Sequence, residues 1–401
     1  MSLPRVVILG AARTPIGRYG GTLRNTHPAE LGARAAMAAI SRAGLAPEDV
    51  DEVLIGHGRQ AGSGPNPGRQ VVRRAGLPDS VPGQTINQAC ASGLQAIALG
   101  AQAIQTGQSR VVLAGGIESM SRMPYLVDSE DARWGHKMGN FKFVDAMYRD
   151  GFFCPLSQLI MGQTAEILGR QYNITREQSD EFALGSQRKA EAAIAAGRFV
   201  DEITPAPGRD AKSKPVELAT DEHPRAGTTI ESLRKLPTVF EPIDGVAGII
   251  TAGTSSGITD GGAAVVLASE EDAARRGITP LGRIVGWATS GVDPRIMGIG
   301  PVPAVRKLLD RTGLALGDFD LVELNEAFAP QVLAVLRDLP IDPDRVNVSG
   351  GAIALGHPIG CTGARIVVTL LHEMARRGAR LGLATLCVSG GMGIAMAIER
   401  P

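Results

Sequence analysis

The chain has 401 residues and a formal net charge of +0, with 44% hydrophobic and 20% charged residues, the balance of a globular protein of two or three domains. Neutrality and an aromatic content of 4% argue against a nucleic-acid or membrane-surface protein acting through bulk charge or base stacking. The N-terminal apolar run, Val6 to Leu9, is too short for a secretory signal, and no transmembrane run is expected. The cysteines Cys90, Cys154, Cys361 and Cys387 form no C-x-x-C pair, so reduced thiols and a cytoplasmic location are expected rather than a zinc ribbon or disulfide framework.

Taken in order, Arg5-Val-Val-Ile-Leu-Gly10 reads as a buried strand ended by glycine. Residues 28–43 read as a helix with Leu31, Ala35, Ala38 and Ala39 on one side, and residues 44–56 as a turn and a second strand. Residues 85–88 read as a polar turn. A helix apolar almost all round follows, with Leu94, Ile97, Ala98, Leu99, Ala101 and Ile104, and a helix without a polar face is a buried one. Its first turn is expected to carry Cys90, where unpaired N–H groups and the helix dipole favour a thiolate. Residues 110–115 form another strand. Strand and helix in alternation imply a parallel or mixed sheet covered by helices.

The texture then changes. Residues 120–150 and 205–242 lack strand alternation, and between them residues 161–197 read as helical, with Thr175-Arg-Glu-Gln178 as a capping box. At residues 252–257 the chain returns to glycine-rich turns, and residues 263–268 form a strand. The opening pattern then repeats. Residues 281–286 echo the first strand, 303–312 the first helix, and 313–325 the segment 44–56, sharing Gly-Leu-Ala and Asp-x-Asp-x-Val. Such self-similarity marks a duplicated domain. The expected parts are a first half (1–120 and 248–272), an inserted loop domain (121–247) and a second half (273–401).

Four places carry possible chemistry. Cys90 sits beside the small residues Ala91, Ser92 and Gly93. Asn325 lies in Asn-Glu-Ala-Phe328 at the end of a second-half strand. His357 lies among five glycines between Ser349 and Arg365, in a loop expected to expose the imidazole. Cys387 precedes Val-Ser389-Gly-Gly391. The last three are expected just beyond strands, where open α/β sheets bind ligands. Each also has a structural reading: Cys90 and Cys387 as small buried hydrophobes, His357 as a hydrogen-bonded core histidine, Asn325 as a turn residue. Cys154 and Cys361 read as structural.

Together, Asn87-x-x-Cys90-Ala-Ser-Gly, Asn325-Glu-Ala-Phe, Gly351-Ala-x-Ala-x-Gly-His357-Pro-x-Gly and Cys387-x-x-Gly-Gly-Met-Gly resemble the thiolase family. Gly115-Gly-x-Glu-Ser-Met-Ser, Met161-Gly-x-Thr-Ala-Glu and Ser256-Gly-x-x-Asp-Gly extend the resemblance over nearly the whole chain. It implies a five-layered α-β-α-β-α fold of two duplicated halves plus an inserted loop domain. It implies a transferase using acyl-CoA and CoA as substrates, with no permanently bound cofactor, no metal and no nucleic-acid or membrane partner, assembled as a homodimer or homotetramer and belonging to fatty acid metabolism.

By the same resemblance Cys90 is the nucleophile, His357 takes its proton, and Cys387 moves a proton at the carbon beside the thioester carbonyl. Oxyanion holes are implied from His357 with a water held by Asn325, and from the backbone N–H groups of Cys90 and Ser389. Ser389 stands where biosynthetic relatives commonly carry glycine. Ser256, Met161, Phe240 and Phe328 match pantetheine-channel positions, and Arg225 a basic residue near the nucleotide end. Ile160 departs from the histidine that short-chain biosynthetic members carry there, which favours broader 3-ketoacyl substrates over acetoacetyl-CoA alone. A decarboxylating ketoacyl synthase would need a second histidine where Asn325 stands. A non-catalytic acyl-CoA- or lipid-binding protein would be expected to have lost one of the four chemical residues.

Overall fold

The computed structural model describes residues 3–401, the side chain of Asp131 excepted. Its backbone is organised by one ten-stranded mixed sheet, joined where Val6, Val7 and Ile8 pair antiparallel with Ile284, Arg283 and Gly282. The two sides of this joint repeat one another. Outward on one side run Val6–Arg13, Thr259–Ser269, Val111–Ser119 and Glu52–His57. Outward on the other run Gly282–Gly291, Met392–Glu399, Leu381–Val388 and Leu321–Leu324. In each set the first three strands are antiparallel and the fourth is parallel to the third. The internal repeat read in the sequence is therefore a repeat of strand order.

Helices close both faces of each half. Pro28–Arg42 and Pro67–Arg74 cover the outer face of the first half. Pro301–Thr312 and Ala329–Asp338 cover that of the second. Between the halves lie helices Ser92–Gln105 and Ile359–Arg377, sharing one apolar core with the inner faces of both. The layers are thus α-β-α-β-α, from two duplicated halves. Helix Ser92–Gln105 is buried on all but one narrow stripe, Gln95, Leu99 and Gln102, which is why the rest of residues 94–104 is apolar.

The chain leaves the sheet after Ser119 and returns at Thr259, so the strands Val111–Ser119 and Thr259–Ser269 form a hairpin split by an insertion. The inserted segment holds short ribbons, including Ala206–Arg209 with Pro215–Leu218. The helical stretch within it is two helices, Met161–Gln171 and Arg176–Ala195, the second opened by the Thr175/Gln178 capping box. The expected polar turn at residues 85–88 is in part a strand, Gly83–Ile86, parallel to Glu52–His57. Gln84 Nε2 donates to Glu52 Oε1 at 2.7 Å. A four-residue polar edge strand leaves no apolar alternation to read.

The insertion is fastened by a buried arginine. Arg13 closes the first strand and is fully buried. Its Nε donates to Glu202 Oε1 at 2.6 Å, and its Nη1 and Nη2 to Asp221 at 2.7 and 2.8 Å. Phe199 lies under the guanidinium, 5.1 Å from ring centroid to Cζ. Removing one member of such a cluster leaves buried charge unpaired. Arg13→Leu is expected to cost about 3–5 kcal/mol, read as a lowered urea midpoint; an unchanged midpoint would show that the cluster does not hold the insertion.

Candidate active site

The Cys90 turn is built by local hydrogen bonds. Asn87 Oδ1 accepts from Ala89 N at 2.9 Å, and Ser92 Oγ accepts from Gln88 N at 2.9 Å while donating to Ala89 O at 2.7 Å. Ala89 is held at φ +46, a left-handed conformation that costs a non-glycine residue energy and persists only where its surroundings over-determine it. Cys90 lies in the short 3-10 turn Ala89–Ala91, one turn ahead of the helix, which begins at Ser92. The reason is packing: a Cβ on Gly56 would stand 2.2 Å from the Ser92 carbonyl carbon, so the helix start is pressed onto the strand Glu52–His57.

Cys90 is 9% exposed. Burial pushes its thiol up, the opposite of the sequence expectation. Arg59, the Ser389 backbone N–H and the N–H of Cys90 itself offset part of that rise, and Glu118 adds to it. Both amides thus lie at the sulfur.

His357 is 7% exposed and sits between helices Ala352–Leu355 and Ile359–Arg377. It is neither exposed nor just beyond a strand. The surrounding glycines serve close packing. A Cβ on Gly356 would stand 2.4 Å from Thr259 Cγ2, on Gly360 2.5 Å from Gly58 N, and on Gly363 2.4 Å from Leu94 N. The His357 backbone N–H donates to Gly257 O at 3.0 Å. Its Nδ1 lies 2.6 Å from Thr362 Oγ1, and that hydroxyl donates its single proton to Pro358 O. With the hydroxyl bonded to Pro358 O, Nδ1 is the ring nitrogen suited to donate to it, which leaves Nε2, buried with no partner among the described residues, as the nitrogen suited to take a proton. Burial, with Arg365 and Arg59 nearby, drives this imidazole down to about 3.

Cys387 is the penultimate residue of the strand Leu381–Val388 and is fully buried among Cys154, Met161, Met297, Ala327 and Phe328. Burial, and then charge on Cys90, push its thiol far up, which places the two sulfurs within electrostatic reach. Asn325 follows the strand Leu321–Leu324 and is 1% exposed. Its backbone N–H donates to Thr385 O at 3.0 Å, and both side-chain polar atoms lack a partner among the described residues. A buried carboxamide with neither atom satisfied is costly unless a water or ligand meets it. Cys361 is buried in the helix Ile359–Arg377 and pushed up to about 12 by burial, as suits a packing residue.

A groove of about 590 Å³ opens beside this cluster. Ser256, Met161, Phe240, Phe328, Arg225 and Ile160 all line it. Its wall is continuous with the cluster: Gly257 lines the groove and accepts from His357 N, while Met161 and Phe328 pack on Cys387. Ser389 does not line the groove; its amide lies at the Cys90 sulfur. A second cleft of about 630 Å³, between Arg5, Arg283 and Arg380, shares no lining residue with this cluster. Among the described residues no group of His, Cys, Asp and Glu has the arrangement to hold a metal ion, and no helix is long and apolar enough to cross a membrane.

Three residues were not singled out by sequence reasoning. Glu118, fully buried, accepts from Arg59 N at 3.3 and 3.2 Å and from Gly360 N at 2.9 Å, and lies 3.1 Å from His57 Nε2. It pins the start of the helix Ile359–Arg377 to the first half. The motif Gly115-Gly-x-Glu118 contained it, but not its partner 242 residues away. His223, from the insertion, lines the groove with its Nδ1 2.7 Å from Ala354 O. The third is Arg59.

The chain matches the family model "Thiolase, N-terminal domain" over residues 6–271 and "Thiolase, C-terminal domain" over residues 278–400. It is 52% identical to the acetyl-CoA acetyltransferase of Rhizobium meliloti (strain 1021), covering 100% of both chains. It is 50% identical to that of Escherichia coli (strain K12), covering 98% of each. The crystal structure of the Bacillus anthracis acetyl-CoA acetyltransferase superposes with a TM-score of 0.95 at 47% identity, covering 100% of each chain. Human mitochondrial 3-ketoacyl-CoA thiolase superposes at 0.94 with 44% identity, covering 99% of each.

The His357 shift has a consequence for stability. Unfolded, the imidazole titrates near 6.5; folded, near 3. Between these values the unfolded chain binds the extra proton, so the contribution is complete above pH 6.5 and is lost as pH falls toward 3. Replacing His357 with glutamine should reduce the slope of unfolding free energy against pH, between about pH 4 and 6, by up to about 1.4 kcal/mol per pH unit. Urea melts at several pH values measure it; an unchanged slope would mean that His357 is not buried neutral.

Proposed function

The chain belongs to the thiolase family and is an acyltransferase, and from that premise we propose that it carries acyl groups between CoA thioesters on Cys90, cleaving 3-ketoacyl-CoA by thiolysis or, in the opposite direction, joining acetyl-CoA to an acyl-CoA by Claisen condensation. What supports this reading is that Cys387 lies within electrostatic reach of Cys90, that Asn325 is bonded to the Cys387 strand at Thr385, and that the groove lined by Ser256, Met161, Phe240, Phe328 and Arg225 touches Cys387 through Met161 and Phe328 and His357 through Gly257. The boundaries 1–120 with 248–272, 121–247 and 273–401 are proposed for the three parts, the insertion supplying one wall of the groove.

In thiolysis the Cys90 thiol gives its proton to His357 Nε2 as the sulfur attacks the 3-keto carbon. Because burial raises the thiol and lowers the imidazole, a resting thiolate–imidazolium pair is disfavoured. The proton therefore moves as the C–S bond forms, when negative charge reaches the substrate oxygen. The bond between C2 and C3 then breaks. The electron pair stays on C2, which takes the Cys387 proton to give acetyl-CoA and leaves an acyl group on Cys90. CoA thiol attacks that acyl-enzyme, giving its proton to the thiolate of Cys387. Cys90 leaves as the thiol, recovering its proton from His357.

Two donor sets suit the oxyanions that these steps require. The N–H groups of Cys90 and Ser389 lie at the sulfur. His357 with a water on Asn325 is the other, since the carboxamide has both polar atoms free. Apolar Ile160 in the groove lining supports 3-ketoacyl chains longer than acetoacetyl, and a substrate place in fatty acid metabolism. A homodimer or homotetramer in the cytoplasm is proposed with it.

Cys90→Ser should lose acetylation by acetyl-CoA, seen by mass spectrometry of the intact protein; full acetylation elsewhere would end the assignment. Cys387→Ala should still load acetyl at Cys90 but fail to condense, whereas failure to load would refute the division of roles. With a panel of 3-ketoacyl-CoA substrates, six- and eight-carbon chains should match or exceed acetoacetyl-CoA in kcat/KM. A loss of about 10–200-fold per added methylene would instead establish an acetoacetyl-CoA-only enzyme.

A further inference from the structure

Arg59 is a buried cation beside the turns that carry Cys90 and His357. It is 6% exposed and follows the strand Glu52–His57. Its backbone is wedged between the turns that carry the nucleophile and the imidazole. Asn87 Nδ2 donates to Gly58 O at 3.2 Å. A Cβ on Gly58 would stand 2.9 Å from Ile359 Cγ2 and 3.4 Å from Ala89 O. Gly360 packs against Gly58 N. One residue away from that contact, the Arg59 N–H is held by Glu118.

The guanidinium has few partners. Nη2 donates to Gly151 O at 2.5 Å, Nη1 reaches Gly58 O at 3.5 Å, and Nε is buried without a partner among the described residues. No carboxylate among the described residues makes an ion pair with it, in contrast to buried Arg13 with Glu202 and Asp221 and Arg365 with Glu323. A positive charge removed from water and lacking an ion-pair partner acts over several ångströms in a low-dielectric interior.

We infer that Arg59 is a positioning residue for acyl transfer: its buried charge stabilises negative charge on the Cys90 sulfur and disfavours imidazolium at His357, while its bond to Gly151 ties the groove wall to that frame. The inference rests on Cys90 being the nucleophile. The same cation lowers both groups, helping the thiol ionise and keeping the imidazole neutral. The other groups facing the sulfur are Glu118, which opposes Arg59, the Cys387 thiol, and the amides of Ser389 and Cys90; Arg365 acts with Arg59 on His357. Gly151 adjoins Phe152, which lines the groove with Tyr148. Arg59 thereby couples the insertion to the sulfur's electrostatics.

The test is the pH midpoint of Cys90 alkylation by iodoacetamide, followed by peptide mapping on the full-length enzyme. The midpoint reports ionisation, whereas a change of access alters only the limiting rate. Arg59→Gln and Arg59→Met remove the charge, and two neutral variants guard against one failing to fold. Both are expected to raise the midpoint by about one pH unit, which makes alkylation at pH 7 about tenfold slower. Arg59→Lys should restore the midpoint to within about 0.3 units. Equal midpoints in the parent and neutral variants would overturn the inference, as would a lysine variant behaving like the neutral ones. Acetyl-CoA labelling of the parent is read separately: acetyl on another residue refutes the nucleophile assignment, whereas acetyl on Cys90 with unmoved midpoints refutes Arg59 alone.

Discussion

The site depends on two central helices meeting at backbone distance. Helix Ser92–Gln105 begins at the Cys90 turn and helix Ile359–Arg377 begins beside His357. Where they meet, glycine is required. A Cβ on Gly93 would stand 2.7 Å from Ala364 N, and one on Gly363 2.4 Å from Leu94 N. Gly116 and Gly360 bring the sheet equally close, since a Cβ on Gly116 would stand 2.2 Å from Gly360 O. Side chains there would hold the halves apart by their own width, and the sulfur and imidazole with them. Glu118 adds the polar part of this contact by accepting from Gly360 N across the two halves.

Convergence by burial has an electrostatic cost that shapes the chemistry. The two thiols are pushed up and His357 down, because each charged form is denied water. A site of this kind holds neutral groups at rest and forms charge only as bonds change. The compensating donors are fixed by backbone and by buried side chains, so little reorganisation is needed when charge appears. The left-handed Ala89 belongs to the same design, since its strained turn is held by Asn87 and Ser92.

The insertion completes the site from the other side. Arg13 anchors it through Glu202 and Asp221, and Arg59 reaches it at Gly151. Between these ties it contributes Tyr148, Ile160, Met161, His223, Arg225 and Phe240 to the groove, against Ser256 and Phe328.

Residue order alone determined a good deal. The repeated Gly-Leu-Ala and Asp-x-Asp-x-Val segments marked two similar halves, and the apolar run from Leu94 to Ile104 marked a central helix. Cys90, His357 and Cys387 stood out among small or glycine neighbours, and Asn325 stood out at the end of a second-half strand. Five of the groove residues followed from the family resemblance. Tertiary structure decided what depends on contacts distant in sequence. It set the strand at Gly83–Ile86, whose pairing no local pattern encodes, and the burial of His357, because glycines permit either an open loop or close packing. It set the sign of the Cys90 shift, since desolvation outweighs a helix terminus. It also decided the partners of Glu118 and Arg59, because an interaction with Gly360 or Gly151 depends on where the folded chain carries those backbones.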